Sequence, residues 1–213
     1  MPKTTTGDAE AFLPKKRSLP SLQHAAEGCR GCGLYLHATQ TVFGEGSQAS
    51  RVMFVGEQPG DAEDREGKPF VGPAGRVFDK ALEAAGLERG VAYVTNAVKH
   101  FKFEERGKAR LHKRPNRGEI KACRPWLQAE LDAVRPEVLV LLGATAAQSL
   151  FGATFRITQQ RGKPLSSTLA PLVIATAHPS SILRAPDETA RRAAFEELVA
   201  DLRFVAKRLA RRA

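Results

Sequence analysis

Four short runs of β-branched and large apolar residues, Val52–Val55, Ala92–Thr95, Val138–Leu142 and Leu172–Thr176, alternate with stretches of helical pattern. A repeated strand-then-helix order favours parallel strands covered by helices on both faces. Val138–Leu142 is apolar throughout, which fits a strand buried on both sides. The pattern predicts helices over Arg76–Ala85, Arg117–Val134, Ala144–Leu150 and Asp187–Arg211. Gly86 is placed to end the first of these, and Pro125 must kink the second or start a new helix. In the last, Ala194, Leu198, Leu202 and Val205 recur at spacings of three and four and make one apolar face. The predicted fold class is α/β, a three-layer α/β/α arrangement with a central four-stranded parallel sheet.

Three of those runs end in polar residues. Val52–Val55 leads into Gly56-Glu57-Gln58-Pro59-Gly60-Asp61, Ala92–Thr95 into Asn96, and Leu172–Thr176 into His178-Pro179-Ser180-Ser181. Ligands of open α/β sheets bind beyond the carboxyl ends of the strands. A carboxylate, a carboxamide and an imidazole arriving there from three strands read as one polar pocket. Asn96, with paired donor and acceptor, suits the edge of an amide-like ring, and His178 can donate to an oxygen gaining negative charge. Each residue also has a plainer reading, as a turn cap or a solvent-facing side chain. The long Gly- and Pro-rich connection up to Gly75 exceeds what a link requires and points to function. Phosphate-cradling and nucleophile-elbow motifs are absent, and Gly44-Glu45-Gly46 precedes a strand where a dinucleotide fingerprint would follow one.

The 213 residues suit one domain over 21–213, after a polar, partly basic tail over 1–20 that is expected to be disordered. No run approaches a membrane span and the first residues lack the apolar segment of a signal peptide, so a cytoplasmic location is expected. Net charge is +10, and it is concentrated. Between Lys99 and Lys121 nine basic residues stand against three acidic ones, a patch that attracts a polyanion or is simply a solvated basic loop. The three cysteines, Cys29 and Cys32 in a Cys-x-x-Cys pair and Cys123 far away, are an odd number. In a reducing compartment they raise the question of metal or cluster chemistry before that of disulfides.

Gly56-Glu57-Gln58-Pro59-Gly60, the loop Gly67–Gly75, Thr95-Asn96 and His178-Pro179-Ser180-Ser181 together resemble the motifs of the uracil-DNA glycosylase superfamily. The resemblance runs from Cys29 to the last helix and is nearest to the iron–sulfur family-four enzymes and the UdgX-type proteins, which bond covalently to DNA. It implies uracil-containing DNA as partner, single-stranded by preference, and a monomeric protein that flips the target nucleotide into a pocket. Phe70 would stack on the uracil, with Asn96 and Gln58 beside it, while His178 would stabilise the departing base. Glu57, with Asp61, would stabilise an oxocarbenium-like sugar or orient the nucleophile. Lys108, Arg110, Ser180, Ser181 and Arg184 would contact DNA, with Ile182 and Leu183 as an apolar wedge.

The resemblance also implies a 4Fe-4S cluster held by Cys29, Cys32, His100 and Cys123. Family-four enzymes carry cysteine where this chain has His100, and imidazole is an accepted iron ligand in some clusters. A zinc site or buried inert thiols are the alternatives. Between His100 and Cys123 the chain inserts Gly107-Lys108-Ala109-Arg110-Leu111-His112, which resembles the UdgX-type Lys-Arg-Arg-Ile-His loop. Ala109 replaces its second residue and Leu111 its fourth. His112 is thereby the expected nucleophile for the sugar C1′, with its basic neighbours depressing its pKa. The rivals are a hydrolytic glycosylase that uses water, and a non-catalytic binder of damaged DNA.

Overall fold

The computed structural model describes residues 7–211. A 3-10 turn, Ala9–Phe12, precedes helix α1 (Leu19–Glu27). Strand β1 (Val52–Gly56) leads to a short helix α2 (Asp61–Glu66) and then to α3 (Pro73–Ala85). Strand β2 (Ala92–Asn96) is followed by a hairpin of β3 (Phe103–Arg106) and β4 (Ala109–His112). Helix α4 (Arg117–Val134), strand β5 (Val138–Leu142) and helix α5 (Ala144–Phe151) come next. The chain closes with α6 (Ile157–Gln160), β6 (Pro164–Leu165), β7 (Leu172–Thr176), α7 (Pro179–Leu183) and α8 (Glu188–Ala210).

The main sheet has the order β2-β1-β5-β7-β6, with the first four strands parallel and β6 antiparallel at the edge. The α/β expectation holds, with one short extra strand. Every residue of the four parallel strands is buried, because helices cover both faces. One core layer packs α1, α4 and α5 on the sheet through Leu22, Trp126, Leu127 and Ala146. The other packs α3, α7 and α8 through Phe78, Leu82, Ile182, Leu198 and Leu202. From β1 the chain crosses to β2 on one side, whereas β5 lies on the other side of β1. The crevice between the carboxyl ends of β1 and β5 is therefore the switch point at which such sheets bind ligands.

Several expectations change. Ala9–Phe12, assigned by sequence to a disordered tail, is a turn with Ala9 buried against the core, and α1 begins at Leu19; residues 1–6 of that tail lie outside the described residues. Pro125 does not start a second helix: Arg117–Val134 runs through it as one. The basic insertion is no loop but a β-hairpin pairing Phe103 with His112 and Arg106 with Ala109. Gly107, at φ 59°, supplies its turn. Among the described residues, no helix is long and apolar enough to cross a membrane.

Candidate active site

The strand register builds the floor of the site. Gly56, the last residue of β1, pairs with Asn96, the last residue of β2. A Cβ on Gly56 would lie 2.3 Å from Asn96 Oδ1 and 2.7 Å from Phe70 Cζ, so only glycine lets these two groups close on the strand end. Phe70 is 5% exposed and takes φ 57°, a left-handed conformation that costs a bulky residue on the order of 1 kcal/mol. Its ring leans on Phe78 at a centroid distance of 5.2 Å and on His178 at 5.9 Å. The loop is held from below by Glu63, which accepts from the backbone N–H groups of Gly60 and Gly72 at 3.0 and 2.8 Å.

Asn96 is 2% exposed yet lines a cavity of about 1150 Å³ together with Glu57, Phe70, His112 and His178. Among the described residues, none hydrogen bonds to its carboxamide; only its backbone carbonyl is engaged, by Lys99 Nζ at 2.7 Å. Its amide atoms are open to the cavity, where a ligand can take up both the donor and the acceptor.

His178 follows β7 and caps α7. Its Nδ1 accepts from the backbone N–H of Ser180 at 3.2 Å and lies 2.7 Å from Ser180 Oγ, which is itself held by Arg184 Nη1 at 3.1 Å. A ring nitrogen that accepts a backbone N–H has no proton, so the neutral ring carries its proton on Nε2. Burial, then the charges of Arg184 and His112, push its pKa down to about 4. It is a neutral donor at physiological pH.

The hairpin brings His112 to the same cavity, where its side chain is 49% exposed. Gln58 is 6% exposed and fastens the hairpin: its Oε1 accepts from Lys102 N at 3.2 Å, and its Nε2 donates to Lys102 O at 3.2 Å and Lys113 O at 3.0 Å. That nitrogen also lies 2.9 Å from His112 Nε2; its two hydrogens are shared among three acceptors, so the histidine nitrogen facing it is unprotonated and only partly engaged. Glu57 Oε1 stands 3.6 Å from the same Nε2. The pKa of His112 is lowered, first by burial and then by Arg184, against opposing pulls from Glu57 and Glu63. The expected depression is present, but its causes are burial and Arg184 instead of the basic residues next to it in the sequence.

Other assignments shift. Arg110 does not reach outward for phosphate: its side chain is 13% exposed, bonds to Asp61 and the fully buried Asp64, and lies over the rings of Phe101 and Phe103 at 5.5 and 5.0 Å. Asp61 is taken up by Arg110 and Arg65, which hold its carboxyl below the usual range. Gln58 lines the same cavity as Asn96 while its amide fastens the hairpin. Lys108 is exposed at the hairpin turn, and Arg184, Ser181 and half-buried Ser180 stand at the cavity mouth. Ile182 is buried in the core, so Leu183, 43% exposed, is left as the apolar tip. Part of the basic patch is self-paired, Lys102 with Glu119 and Lys113 with Glu104.

Cys29, Cys32 and Cys123 gather where α1 meets α4, near enough that their charges raise the Cys123 pKa, which burial pushes up to about 12. Cys123 Sγ accepts from Lys99 N and Cys29 Sγ from Trp126 Nε1, both at 3.2 Å. Hydrogen bonds of this kind tune cluster sulfurs. His100, 5% exposed, follows Lys99, whose backbone N–H bonds to Cys123 Sγ. Thr41 Oγ1 spends its proton on Ala26 O and therefore accepts from His100 Nε2, leaving Nδ1 with the free lone pair. Among the described residues, no three His, Cys, Asp or Glu side chains close round a single-ion position.

Two groups escaped the sequence reading. Thr145 donates to Glu57 Oε2, and Arg114 Nε donates to Thr145 Oγ1 at 2.9 Å. Thr145 belongs to no motif and is placed beside Glu57 by strand order, while Arg114 arrives from the exit of the hairpin. Below Asn96, Lys99 and Glu130 form an ion pair 1% and 0% exposed, with Glu130 also accepting from Tyr93 and Thr95. A lysine in a basic stretch gave no sign of burial.

Comparison with known proteins agrees with this geometry. The family model described as the uracil DNA glycosylase superfamily matches residues 43–203. The chain is 37% identical over 180 residues to a Type-4 uracil-DNA glycosylase of Thermotoga maritima, covering 84% of this chain and 90% of the relative. It is 35% identical over 178 residues to the Type-4 enzyme of Sulfurisphaera tokodaii, covering 80% and 78%, and 35% identical over 176 residues to that of Archaeoglobus fulgidus, covering 79% and 85%. With its strand-end motifs meeting in one cavity and matches of this extent, the chain belongs to the uracil-DNA glycosylase superfamily.

Proposed function

We propose that this protein excises uracil from DNA, single-stranded by preference, and captures the resulting sugar covalently through His112. The observation that carries the reading is the Asn96 carboxamide, which takes no partner among the described residues and opens onto a cavity shared with Phe70, His178 and His112. Uracil offers Asn96 a matching donor–acceptor edge and offers Phe70 a face to stack on. As the C1′–N1 bond breaks, its electron pair passes to uracil N1. The charge spreads to the carbonyl oxygens, toward which His178 Nε2–H can donate. The Glu57 carboxylate stabilises the cationic sugar. The lone pair of neutral His112 Nε2 then forms the N–C1′ bond, and the ring sheds its Nδ1 proton to solvent. An alkylated imidazole is a poor leaving group, so the reaction stops after one event.

The relatives named Type-4 uracil-DNA glycosylase favour a second reading, in which water takes the place of His112 and the enzyme turns over. Incubation with a uracil-containing oligonucleotide followed by a denaturing gel separates the two. A shifted band that survives boiling in detergent is expected; free abasic product in excess over enzyme selects the hydrolytic reading.

For the cluster, soft thiols at Cys29, Cys32 and Cys123, the first and last buried and each accepting an N–H···S bond, fit iron–sulfur ligation. His100 would complete the set through Nδ1. The cluster would knit α1 to α4 and to the strand end that carries Asn96. Iron and sulfide analysis with a broad visible absorbance tests it, and stoichiometric zinc without iron would refute it.

A further inference from the structure

We propose that Thr145 is the positioning residue for Glu57: its hydroxyl, ordered by Arg114, fixes one carboxylate oxygen so that the other stays turned on His112. This rests on the reading of Glu57 and His112 as reacting groups. The relay has one direction. A guanidinium only donates, so the 2.9 Å contact from Arg114 Nε occupies a lone pair of Thr145 Oγ1 and frees its single hydrogen for Glu57 Oε2. Arg114 Nε is 3.9 Å from the same oxygen, beyond hydrogen-bond reach, and acts on it as a charge.

The backbone holds both ends. Glu57 leaves β1 and Thr145 opens α5 just past β5, and those strands are paired up to Val55 and Leu141. Thr145 is 2% exposed, and its β-branched side chain has little rotamer freedom. Arg114 is braced a second time through Gln148 Oε1 at 2.9 Å, and Gln148 is tied to Phe155 O at 3.2 Å. Arg114 also follows His112 by two residues, so the relay fastens the exit of the hairpin to the same helix. With Oε2 claimed, Oε1 is left 3.6 Å from His112 Nε2. Without the hydroxyl, the carboxylate is free to rotate toward the Arg114 guanidinium and withdraw Oε1 from the reacting position.

The test compares Thr145→Val, which keeps the shape, with Thr145→Ser, which keeps the hydroxyl, in single-turnover reactions with excess protein over a uracil-containing oligonucleotide. In Thr145→Val the maximal rate of adduct formation should fall about tenfold or more, the usual scale for a lost bond to a charged group. Half-saturation and melting temperature should stay close to wild type, and Thr145→Ser should recover most of the rate, a pattern that marks an interaction used in the transition state. An undiminished rate in Thr145→Val, equally slow Val and Ser variants, or a loss of binding in step with rate would each overturn the role. If wild type releases uracil without forming an adduct, capture by His112 fails. The same comparison then judges Thr145 on uracil release, where a tenfold loss confined to Thr145→Val supports its role and no loss overturns it.

Discussion

Gly56 and Asn96 face each other at the ends of two paired parallel strands, so closely that a methyl group on Gly56 would fall 2.3 Å from Asn96 Oδ1. The same methyl would lie 2.7 Å from Phe70 Cζ. One backbone position thus sets the gap between the group proposed to read the base edge and the ring proposed to stack on the base. Phe70 meets that constraint in a left-handed conformation that its loop has to enforce.

Gly56→Ala should therefore damage base recognition at a position with no functional atom of its own. Displacing Asn96 or Phe70 by about 1 Å is expected to slow uracil excision on the order of 100-fold. Affinity for uracil-free single-stranded DNA should change little, since phosphate contacts dominate it. Excision kinetics set beside a binding titration of the variant check this, and excision at wild-type speed would mean that Asn96 and Phe70 are not spaced by Gly56.

Arg110 should behave as a clasp for the hairpin. It bridges Asp61 and Asp64 and stacks over two rings, and Asp64 is fully buried. Arg110→Ala leaves that carboxylate without its cation, which costs about 3 kcal/mol. Lysine cannot reproduce a planar fork shared between two carboxylates, so Arg110→Lys should recover little. Urea unfolding gives the stability, and adduct yield should fall with it because His112 ends the strand that Arg110 holds.

The α/β class, the four buried strands and the polar strand ends were legible because each depends on local pattern: apolar runs, and motifs where those runs stop. The hairpin was not. Glu104-Glu105-Arg106 is charged throughout and Ala109-Arg110-Leu111 is too short for its alternation to mark a strand, and what pairs them is tertiary: Gln58 bonding to Lys102 and Lys113, and Arg110 reaching Asp61 and Asp64. For the same reason Arg110 read as a free cation, since its partners lie some fifty residues away in the chain. Thr145 was silent because its role comes from β5 lying beside β1, an order that no single segment encodes. Ile182 looked like a wedge tip because the apolar pair Ile182-Leu183 carries no sign of which member faces the core.

The imidazole of His178 predicts a pH effect on stability. Its folded pKa, about 4, lies below the unfolded value of about 6.5. The unfolded chain therefore binds the proton first as pH falls. The stability associated with the neutral ring is complete above pH 6.5 and is lost progressively from there toward pH 4. The charged and titratable groups that hold it down are Arg184 and His112. His178→Asn should melt with a shallower dependence between pH 7 and about 4.5. His100, also pushed down to about 4, is present in both proteins, so the difference isolates His178. Parallel melting curves at each pH would show that His178 does not carry this dependence.

His112 carries the prediction with most at stake. Its Nε2 shares the Gln58 amide hydrogens with two backbone carbonyls, faces Glu57 across 3.6 Å and belongs to a ring with a lowered pKa, so it is unprotonated at neutral pH. Wild type should form one detergent-resistant adduct per protein with uracil-DNA, at a rate that falls in acid as the ring takes up a proton, with the fall setting in at lower pH than for a free imidazole. Replacing His112 by Ser should abolish the adduct while leaving Asn96, Phe70 and His178 untouched, since their elements do not depend on the imidazole. Water then has access to the sugar, so the variant should release uracil and leave an alkali-labile abasic site. Mass spectrometry of the wild-type adduct should place the sugar on the peptide containing His112. An adduct mapped to another residue, or one that persists in His112→Ser, would move the nucleophile elsewhere and leave His112 as a ring held between Gln58 and Glu57.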